Sequence, residues 1–273
     1  MNVLEELGLP ALPEPLPRGI VDNHTHTSTT WHMSKLKPGE SLALAAQVNV
    51  THIVDVGYDV ASSRHALELA AAQPCVAAAV ALHPNDAAVI ATRDGDEPFE
   101  ATLAEIERMV PEATAVGETG LDYYRTRDDD GKRAQERSFR RHIQWAKQHD
   151  KTLVIHDRDA HDDVLRVLDD EGAPERTVMH CFSGDADFAA ACLERGFWLS
   201  YPGVVTFGSA PNLREAAHVT PLEKILVETD APYLIPHTVR FLADLLDVDL
   251  AEFCAQVTTN TWAAYGGRWG DDD

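Results

Sequence analysis

Several features are absent from this sequence, and each absence excludes a class of protein. No apolar run approaches the ~20 residues that a membrane-spanning helix needs. Residues 1–18 are acidic and proline-spotted, without the basic start and apolar core of a secretory signal. Lys and Arg number 23 against 45 Asp and Glu, and the formal net charge of -22 disfavours non-specific binding to nucleic acid or anionic lipid. We therefore expect no membrane partner.

Cysteine is scarce and is not arranged in pairs. The chain has four cysteines in 273 residues, and none forms a Cys-x-x-Cys motif. Widely spaced cysteines of this kind are typical of reduced, partly buried thiols. We therefore expect a cytoplasmic protein.

The chain is long enough for one large domain, with 44% hydrophobic residues and 25% charged residues. Residues 1–19, which contain four prolines, are expected to form a loose leader. From Ile20 onward, short apolar runs alternate with segments of helical period. No linker interrupts this alternation, so residues 20–273 are predicted to form a single domain.

Eight short runs rich in apolar or β-branched residues are the candidate strands. They are Ile20–Asn23, His52–Val56, Val76–Leu82, Ala113–Val116, Thr152–Ile155, Thr177–Met179, Phe197–Ser200 and Ile225–Val227. The helical segments between and after them are Gly39–Val48, Ala61–Ala72, Phe99–Val110, Lys132–His149, Ala160–Asp170, Asp185–Glu194, Asn212–His218 and a tail from about His237 to Tyr265. Eight strand-helix units over ~250 residues predict an α/β protein with a TIM-type (β/α)8 barrel. A doubly wound open sheet is the alternative, but no Gly-x-Gly-x-x-Gly follows the first strand.

Two histidines one residue apart end the first candidate strand. Side chains alternate between the two faces of a strand, so His24 and His26 are expected to point the same way. Imidazole is a common ligand for zinc and similar divalent ions. The His-x-His pair therefore predicts part of a metal site.

Ligand-type residues recur where later strands end. In a (β/α)8 barrel all these ends meet at one face, which carries the active site. The predicted metal ligands are His24, His26, Glu118, His156, His180 and Asp230.

Four imidazoles and two carboxylates exceed the needs of one four-coordinate ion and suit two ions ~3.5–4 Å apart. Glu118 is expected to bridge them, with His24, His26 and Asp230 on one ion and His156 and His180 on the other. Glu118 and Asp230 are the predicted catalytic residues, and Asp230 is expected to orient the attacking water or take its proton. Magnesium, manganese and zinc all suit this donor set.

Five segments together resemble the TatD family of metal-dependent deoxyribonucleases, over about residues 20–265. They are Asp22-Asn23-His24-Thr25-His26, Gly117-Glu118-Thr119-Gly120-Leu121-Asp122-Tyr123-Tyr124, Ile155-His156-Asp157-Arg158-Asp159-Ala160, His180-Cys181-Phe182-Ser183-Gly184 and Glu228-Thr229-Asp230-Ala231-Pro232-Tyr233-Leu234. The Gly-Glu-Thr-Gly-Leu-Asp and His-Cys-Phe-Ser-Gly runs are the more specific signals, since many amidohydrolase-like barrels share His-x-His.

The resemblance implies a (β/α)8 barrel that holds divalent metals through the six predicted ligands and hydrolyses DNA phosphodiester bonds, commonly from the 3′ end. It also implies a cytoplasmic nuclease of DNA repair or degradation. By position, His83, Tyr124 and Arg158 would help to hold the substrate phosphate or sugar. We expect DNA single strands or ends as substrate and a monomer as the working form.

The sequence departs from the family pattern at two places. The family usually has a basic loop of the type Arg-Gly-Lys-Arg-Asn-Glu-Pro after the last motif, whereas here Leu234 runs directly into Ile235 and Pro236. The Leu-Asp pair that often follows His-x-His is replaced by Thr27 and Ser28. None of the predicted metal ligands is lost.

Basic residues cluster after the Glu118 motif, from Arg125 to Arg141. They could hold a nucleic-acid backbone, but for the residues of the predicted helix an ordinary solvated helix face is favoured. Arg158 is predicted at the barrel mouth, where a planar guanidinium suits a phosphate.

Two further functions stay open. One is another metallohydrolase on the same barrel, acting on an ester or amide such as a misacylated tRNA, because fold does not fix substrate. The other is a weakly active metal-binding interaction protein.

Overall fold

Eight parallel strands form the centre of the protein, whose computed structural model describes residues 3–270. Each strand pairs with the next one in the chain, in the order β1 to β8. The strands are β1 Ile20–Thr25, β2 Val50–Val56, β3 Val76–Val80, β4 Ala115–Asp122, β5 Thr152–Arg158, β6 Thr177–Met179, β7 Trp198–Pro202 and β8 Ile225–Glu228. The sheet curls into a nearly closed barrel, so the (β/α)8 prediction is confirmed.

Side chains bridge the seam between the last strand and the first. The Asn23 amide nitrogen donates to the Val227 carbonyl at 2.7 Å. The Asp22 carboxylate accepts hydrogen bonds from the backbone N–H and the hydroxyl of Thr229, at 3.1 and 2.9 Å. The Tyr265 hydroxyl donates to the Asn23 carbonyl at 2.9 Å. These buried polar groups are therefore paired with one another, as burial requires.

Helices surround the barrel and cover its apolar outer face. Within residues 3–270 they are α1 Val3–Leu7, α2 Thr27–Ser34, α3 Pro38–Gln47, α4 Val60–Ala72, α5 Pro84–Val89, α6 Asp96–Met109, α7 Asp129–Gln148, α8 His161–Glu171, α9 Ala186–Glu194, α10 Pro211–Val219, α11 Ile235–Leu245 and α12 Leu250–Ala264. In α6, Phe99, Leu103 and Ile106 recur at helical spacing and are fully buried. The three short helices α1, α2 and α5 were not predicted.

Strand β4 is longer than the predicted segment Ala113–Val116 and carries the Gly-Glu-Thr-Gly motif inside it. Glycine is needed there because β5 lies very close. A Cβ atom on Gly120, whose φ is 138°, would lie 2.1 Å from the His156 carbonyl oxygen. Gly117 has a φ of 151°, and a Cβ there would meet Val154 at 2.5 Å. The two glycines thus allow β4 and β5 to bring their functional residues together.

The N-terminal segment is not loose as expected. Leu4, in α1, and Leu16 are each only 1% exposed and belong to the main hydrophobic core. The Asn49 side chain donates to the Leu16 carbonyl at 2.5 Å, and Arg240 donates to the Pro15 carbonyl at 2.9 Å. Burial of these leucines holds the segment against the barrel, and the predicted separate leader is corrected in this respect.

The predicted helical tail is divided into α11 and α12. Asp247 adopts a left-handed conformation with φ 54°, which ends the first helix. The Asp249 side chain then caps α12 by accepting from the N–H groups of Ala251 and Glu252 at 2.9 and 3.1 Å. The predicted domain end at 273 lies outside the described residues.

Candidate active site

A cavity of about 720 Å³ opens at the carboxyl ends of the strands. Five of the six predicted metal ligands line it: His26, Glu118, His156, His180 and Asp230. The sixth, His24, is buried at the end of β1, with 2% of its surface exposed. The structure therefore brings residues that are far apart in the chain to one end of the barrel.

Glu118 lies at the centre of the histidines. Its Oε2 atom is 2.7 Å from His180 Nε2 and 3.2 Å from His156 Nδ1. Its Oε1 atom is 3.2 Å from His26 Nε2. Each carboxylate oxygen therefore faces at least one imidazole, which is the arrangement expected of a bridging ligand.

The His-x-His pair converges as its spacing predicts. The Nε2 atoms of His24 and His26 are 3.2 Å apart. On the far side of its ring, His26 Nδ1 lies 2.8 Å from the Val56 carbonyl oxygen, to which only a protonated Nδ1 can donate. The His26 Nε2 lone pair is then free to bind a proton or a cation. His24 Nδ1 is buried without a hydrogen-bond partner among residues 3–270.

Two groups of potential ligand atoms share Glu118. The ligand atoms of His24, Glu118 and His180 lie within 4.8 Å of one another, and so do those of His83, Glu118 and His156. One shared carboxylate with several imidazole nitrogens is a donor set that fits a divalent metal. His83, expected to hold substrate, thus lies among the candidate metal ligands.

Asp230 belongs to neither group of ligand atoms, although it lines the same cavity. Its backbone carbonyl accepts a hydrogen bond from the Thr30 hydroxyl at 2.9 Å. The expected grouping of Asp230 with His24 and His26 on one ion therefore stays a prediction.

Charges within the cluster shift its pKa values strongly. Burial alone would raise the pKa of Glu118, but the charges of His180 and His83 and hydrogen bonds from His156 and His180 lower it well below its usual range. Burial lowers the pKa of His180, yet Glu118 and Glu228 outweigh it and raise the value to about 10. The Glu118 carboxylate thus attracts positive charge strongly.

The two histidines of the first strand differ. Burial, reinforced by the neighbouring histidines, holds the pKa of His24 well below its usual range. Burial also lowers the pKa of His26, but the hydrogen bond to Glu118 and the charge of Glu118 outweigh it and raise the pKa to about 9. His24 therefore presents a neutral imidazole, the form that binds metal.

Two carboxylates behind the histidines were not among the predicted site residues. Glu228 accepts hydrogen bonds from Cys181 N at 2.9 Å and the Ser200 hydroxyl at 2.5 Å, and its Oε1 atom lies 3.3 Å from His180 Nδ1. Asp122 Oδ2 lies 3.3 Å from His156 Nε2. Carboxylates in this position orient imidazoles and raise their basicity. Their occurrence in the Glu118 and Asp230 motifs was the available sequence signal.

The other two predicted substrate residues lie outside the cavity lining. The Arg158 guanidinium, at the end of β5, lies 4.0 Å from the centroid of the Tyr124 ring. Tyr124 is 49% exposed. A guanidinium beside an aromatic ring is a pairing that suits a phosphate or a base.

The arginines of α7 are paired with acidic side chains outside the barrel. Arg137 lies 2.6 Å from Glu100, and Arg140 lies 2.7 Å from Glu171 and 2.9 Å from Asp170. The interpretation of this helix as an ordinary solvated face therefore agrees with the structure better than a nucleic-acid surface does.

Residues 21–266 match the family described as TatD related DNase. The chain belongs to the TatD family. A metal-dependent hydrolase named TatD from Mycobacterium tuberculosis is 40% identical over 269 residues, covering 92% of this chain and 99% of its own length. The metal-dependent hydrolase YabD from Bacillus subtilis is 35% identical over 222 residues, covering 81% of this chain and 83% of its own length. This TatD-family protein is accordingly a metal-dependent hydrolase, as predicted.

Solved structures support the fold. The TatD homolog YJJV from Escherichia coli has a TM-score of 0.80 at 23% identity, covering 91% of this chain and 98% of its own. A TatD-family hydrolase from Entamoeba histolytica has a TM-score of 0.76 at 16% identity, covering 92% of this chain and 99% of its own. Across residues 3–270, none of the helices combines the length and apolar character needed to cross a bilayer.

Proposed function

We propose that this TatD-family hydrolase cleaves the phosphodiester bonds of DNA, removing nucleotides from the 3′ end of single strands or exposed ends. The observation that carries this proposal is the convergence of four buried or half-buried histidines on Glu118 inside one open cavity. Such a centre is suited to stabilising the charge of a phosphodiester under attack. The family description points to the same substrate.

Residues of the cluster would hold two divalent ions, magnesium, manganese or zinc. The ligands proposed are the six predicted from the sequence, with His83 adjoining them. When bound, such ions acidify water and stabilise negative charge on a phosphate. Glu228 and Asp122 would fix the rings of His180 and His156 through their outer nitrogens.

Asp230 is the proposed proton acceptor. Asp230 lines the same cavity as Glu118 without belonging to the two compact groups of ligand atoms. One of its carboxylate oxygens would take the proton of the attacking water and pass it to solvent or to the leaving oxygen. Glu118 would remain ionised throughout, because its surroundings stabilise the charged form.

Arg158 and Tyr124 would guide the DNA backbone to the cavity. The protein has a net charge of -22, so a strand approaching it meets little general attraction. A guanidinium supported by an aromatic ring at the rim offers a local phosphate contact. This placement favours one strand or an end rather than broad binding to a duplex.

The test uses metal-loaded protein and 5′-labelled single-stranded DNA. Stepwise shortening from the 3′ end is expected, and it should stop in excess chelator and in Asp230→Asn. Glu136→Gln, a change in the outer ion pairs of α7, is the control and should retain activity. Intact DNA with turnover of aryl esters or of aminoacyl-tRNA would replace this proposal by the ester or amide hydrolase. Inactivity towards all substrates would favour the interaction protein.

A further inference from the structure

One side of the cavity is apolar, in contrast to the histidine cluster. Val204 and Phe207, just after β7, and Leu234, after β8, contribute this side, which we call the apolar wall. Val204 is 44% exposed and Phe207 is 58% exposed. Large apolar side chains left open to water beside a reaction centre mark a surface that contacts a ligand.

The backbone of Phe207 is fixed on both sides. Its N–H donates to the Val204 carbonyl at 2.9 Å. Its carbonyl accepts from Ala210 N at 3.1 Å and from the Arg214 guanidinium at 2.6 Å. The exposed ring is therefore carried by an ordered turn, which reduces the entropy that a ligand must remove on binding.

The segment next to this wall passes directly from a short turn into helix α11. Leu234 ends a short turn in which its N–H donates to the Ala231 carbonyl at 2.8 Å. Helix α11 begins at once with Ile235, and His237 and Thr238 of its first turns also line the cavity. The wall and the cluster thus share one space of about 720 Å³, which is within the range of small-molecule sites.

We propose that the apolar wall binds the base of the 3′-terminal nucleotide, with the base stacked on the Phe207 ring. This inference rests on the proposed function and assigns its terminal-base site. The phosphate next to that nucleotide must lie at the cluster, so the attached base must lie within a nucleotide's length of it, and the apolar wall lines the same cavity as the cluster. Stacking also needs no positive charge and accepts every base.

Phe207 is better placed for this role than Tyr124. Tyr124 does not line the cavity, and the Arg158 guanidinium already lies over its ring at 4.0 Å. Phe207 lines the cavity together with His180 and Asp230. The two aromatic residues would therefore contact different parts of the strand.

The binding test uses single-stranded DNA with 2-aminopurine at its 3′ end and a phosphorothioate at the terminal linkage, which slows cleavage. With manganese-loaded wild-type protein we expect quenching of the 2-aminopurine fluorescence by stacking. Phe207→Ala should remove the quenching and weaken binding about tenfold, the size expected for one stacked base. Phe207→Trp should restore both. Val219→Ala is the control, because Val219 is 48% exposed but lies at the end of α10, outside the cavity lining.

A second arm compares cleavage of DNA ending in a normal nucleotide with cleavage of DNA ending in an abasic one. We expect Phe207→Ala to raise KM for the normal end about tenfold with little change in kcat, and to have no effect on the abasic end. Equal losses on both ends, or no loss, would overturn the terminal-base site while leaving the nuclease intact. Quenching that depends on Phe207 without any DNA cleavage would keep the base site and reject the proposed hydrolysis.

Discussion

Helix α7 and the histidine cluster are both rich in charge, but their charged side chains differ in burial and in pairing. On α7, Arg140 lies beside Glu136, Asp170 and Glu171 in contact with solvent. In the cluster, His26, His156 and His180 face one buried carboxylate, Glu118, at the wall of an open cavity. Charge density alone therefore does not indicate a functional site, whereas ionisable groups that shift one another's pKa values strongly within a cavity do.

The largest expected effect comes from making the same Glu→Gln substitution in each of the two regions and comparing the hydrolytic rates. Glu118→Gln should lower the hydrolytic rate about a thousandfold or more, because a metal centre supplies several kcal/mol of transition-state stabilisation. Glu136→Gln makes the same change within the outer ion pairs and should leave the rate unchanged. Steady-state rates with saturating manganese measure both variants. Equal rates would remove the distinction between the two regions.

A smaller effect is expected behind the cluster. Glu228→Gln keeps the size of the side chain but removes the charge facing His180 Nδ1, so metal affinity should fall about 10- to 100-fold. Competition with a fluorescent chelator measures this affinity. Glu223→Gln, an exposed position just before β8, is the matched control and should bind metal like the wild type. Unchanged affinity in Glu228→Gln would leave Glu228 a structural role only.

The buried face of α7 should make the stability of the protein depend on pH. His142 lies on the buried face, accepts a hydrogen bond from Leu82 N at 3.1 Å and has its Nδ1 atom 2.7 Å from the Ser138 carbonyl. Burial lowers its pKa to about 4, from about 6.5 in an unfolded chain. The stability that depends on neutral His142 is thus complete above pH 6.5 and is lost as the pH falls towards 4.

Urea unfolding of the wild type and His142→Gln checks this point. The free-energy advantage of the wild type should shrink by about 2 kcal/mol between pH 7 and pH 5, because Gln does not titrate. An advantage that is constant over this range would show that His142 is not held neutral.

The smallest effect is expected on the exposed face. Arg140→Gln should lower the free energy of unfolding by only about 0.5–1 kcal/mol, since solvent screens these ion pairs. The difference should vanish in 1 M NaCl. Thermal unfolding at low and high salt measures it. A larger, salt-independent loss would mean that this face is not the solvated ion-pair surface described here.

Much of the barrel and the cluster was predictable because both follow from periodicity. Eight apolar runs define the strands, and the residues that follow them must meet at one face. The position of Glu118 followed from that rule, although its motif was expected after β4 and lies within it. The reason is the close approach at Gly120, which only the neighbouring strand reveals.

What was missed depends on contacts between distant parts of the chain. Glu228 contacts Ser200, on β7, and His180, directly after β6, so its orientation is not visible in its own motif. Leu4 and Leu16 are buried because they join a hydrophobic core built from residues of many distant segments. Nothing in the sequence distinguishes Phe207 from other apolar residues; its position in the cavity lining is evident only from the structure.

Metal titration of the stripped protein tests the central claim most directly. Calorimetry with manganese or zinc should give two equivalents for the wild type and for Glu136→Gln, with marked loss of binding in Glu118→Gln. Absence of binding by the wild type, or identical binding by Glu118→Gln, would contradict the assignment of this cluster as the metal centre.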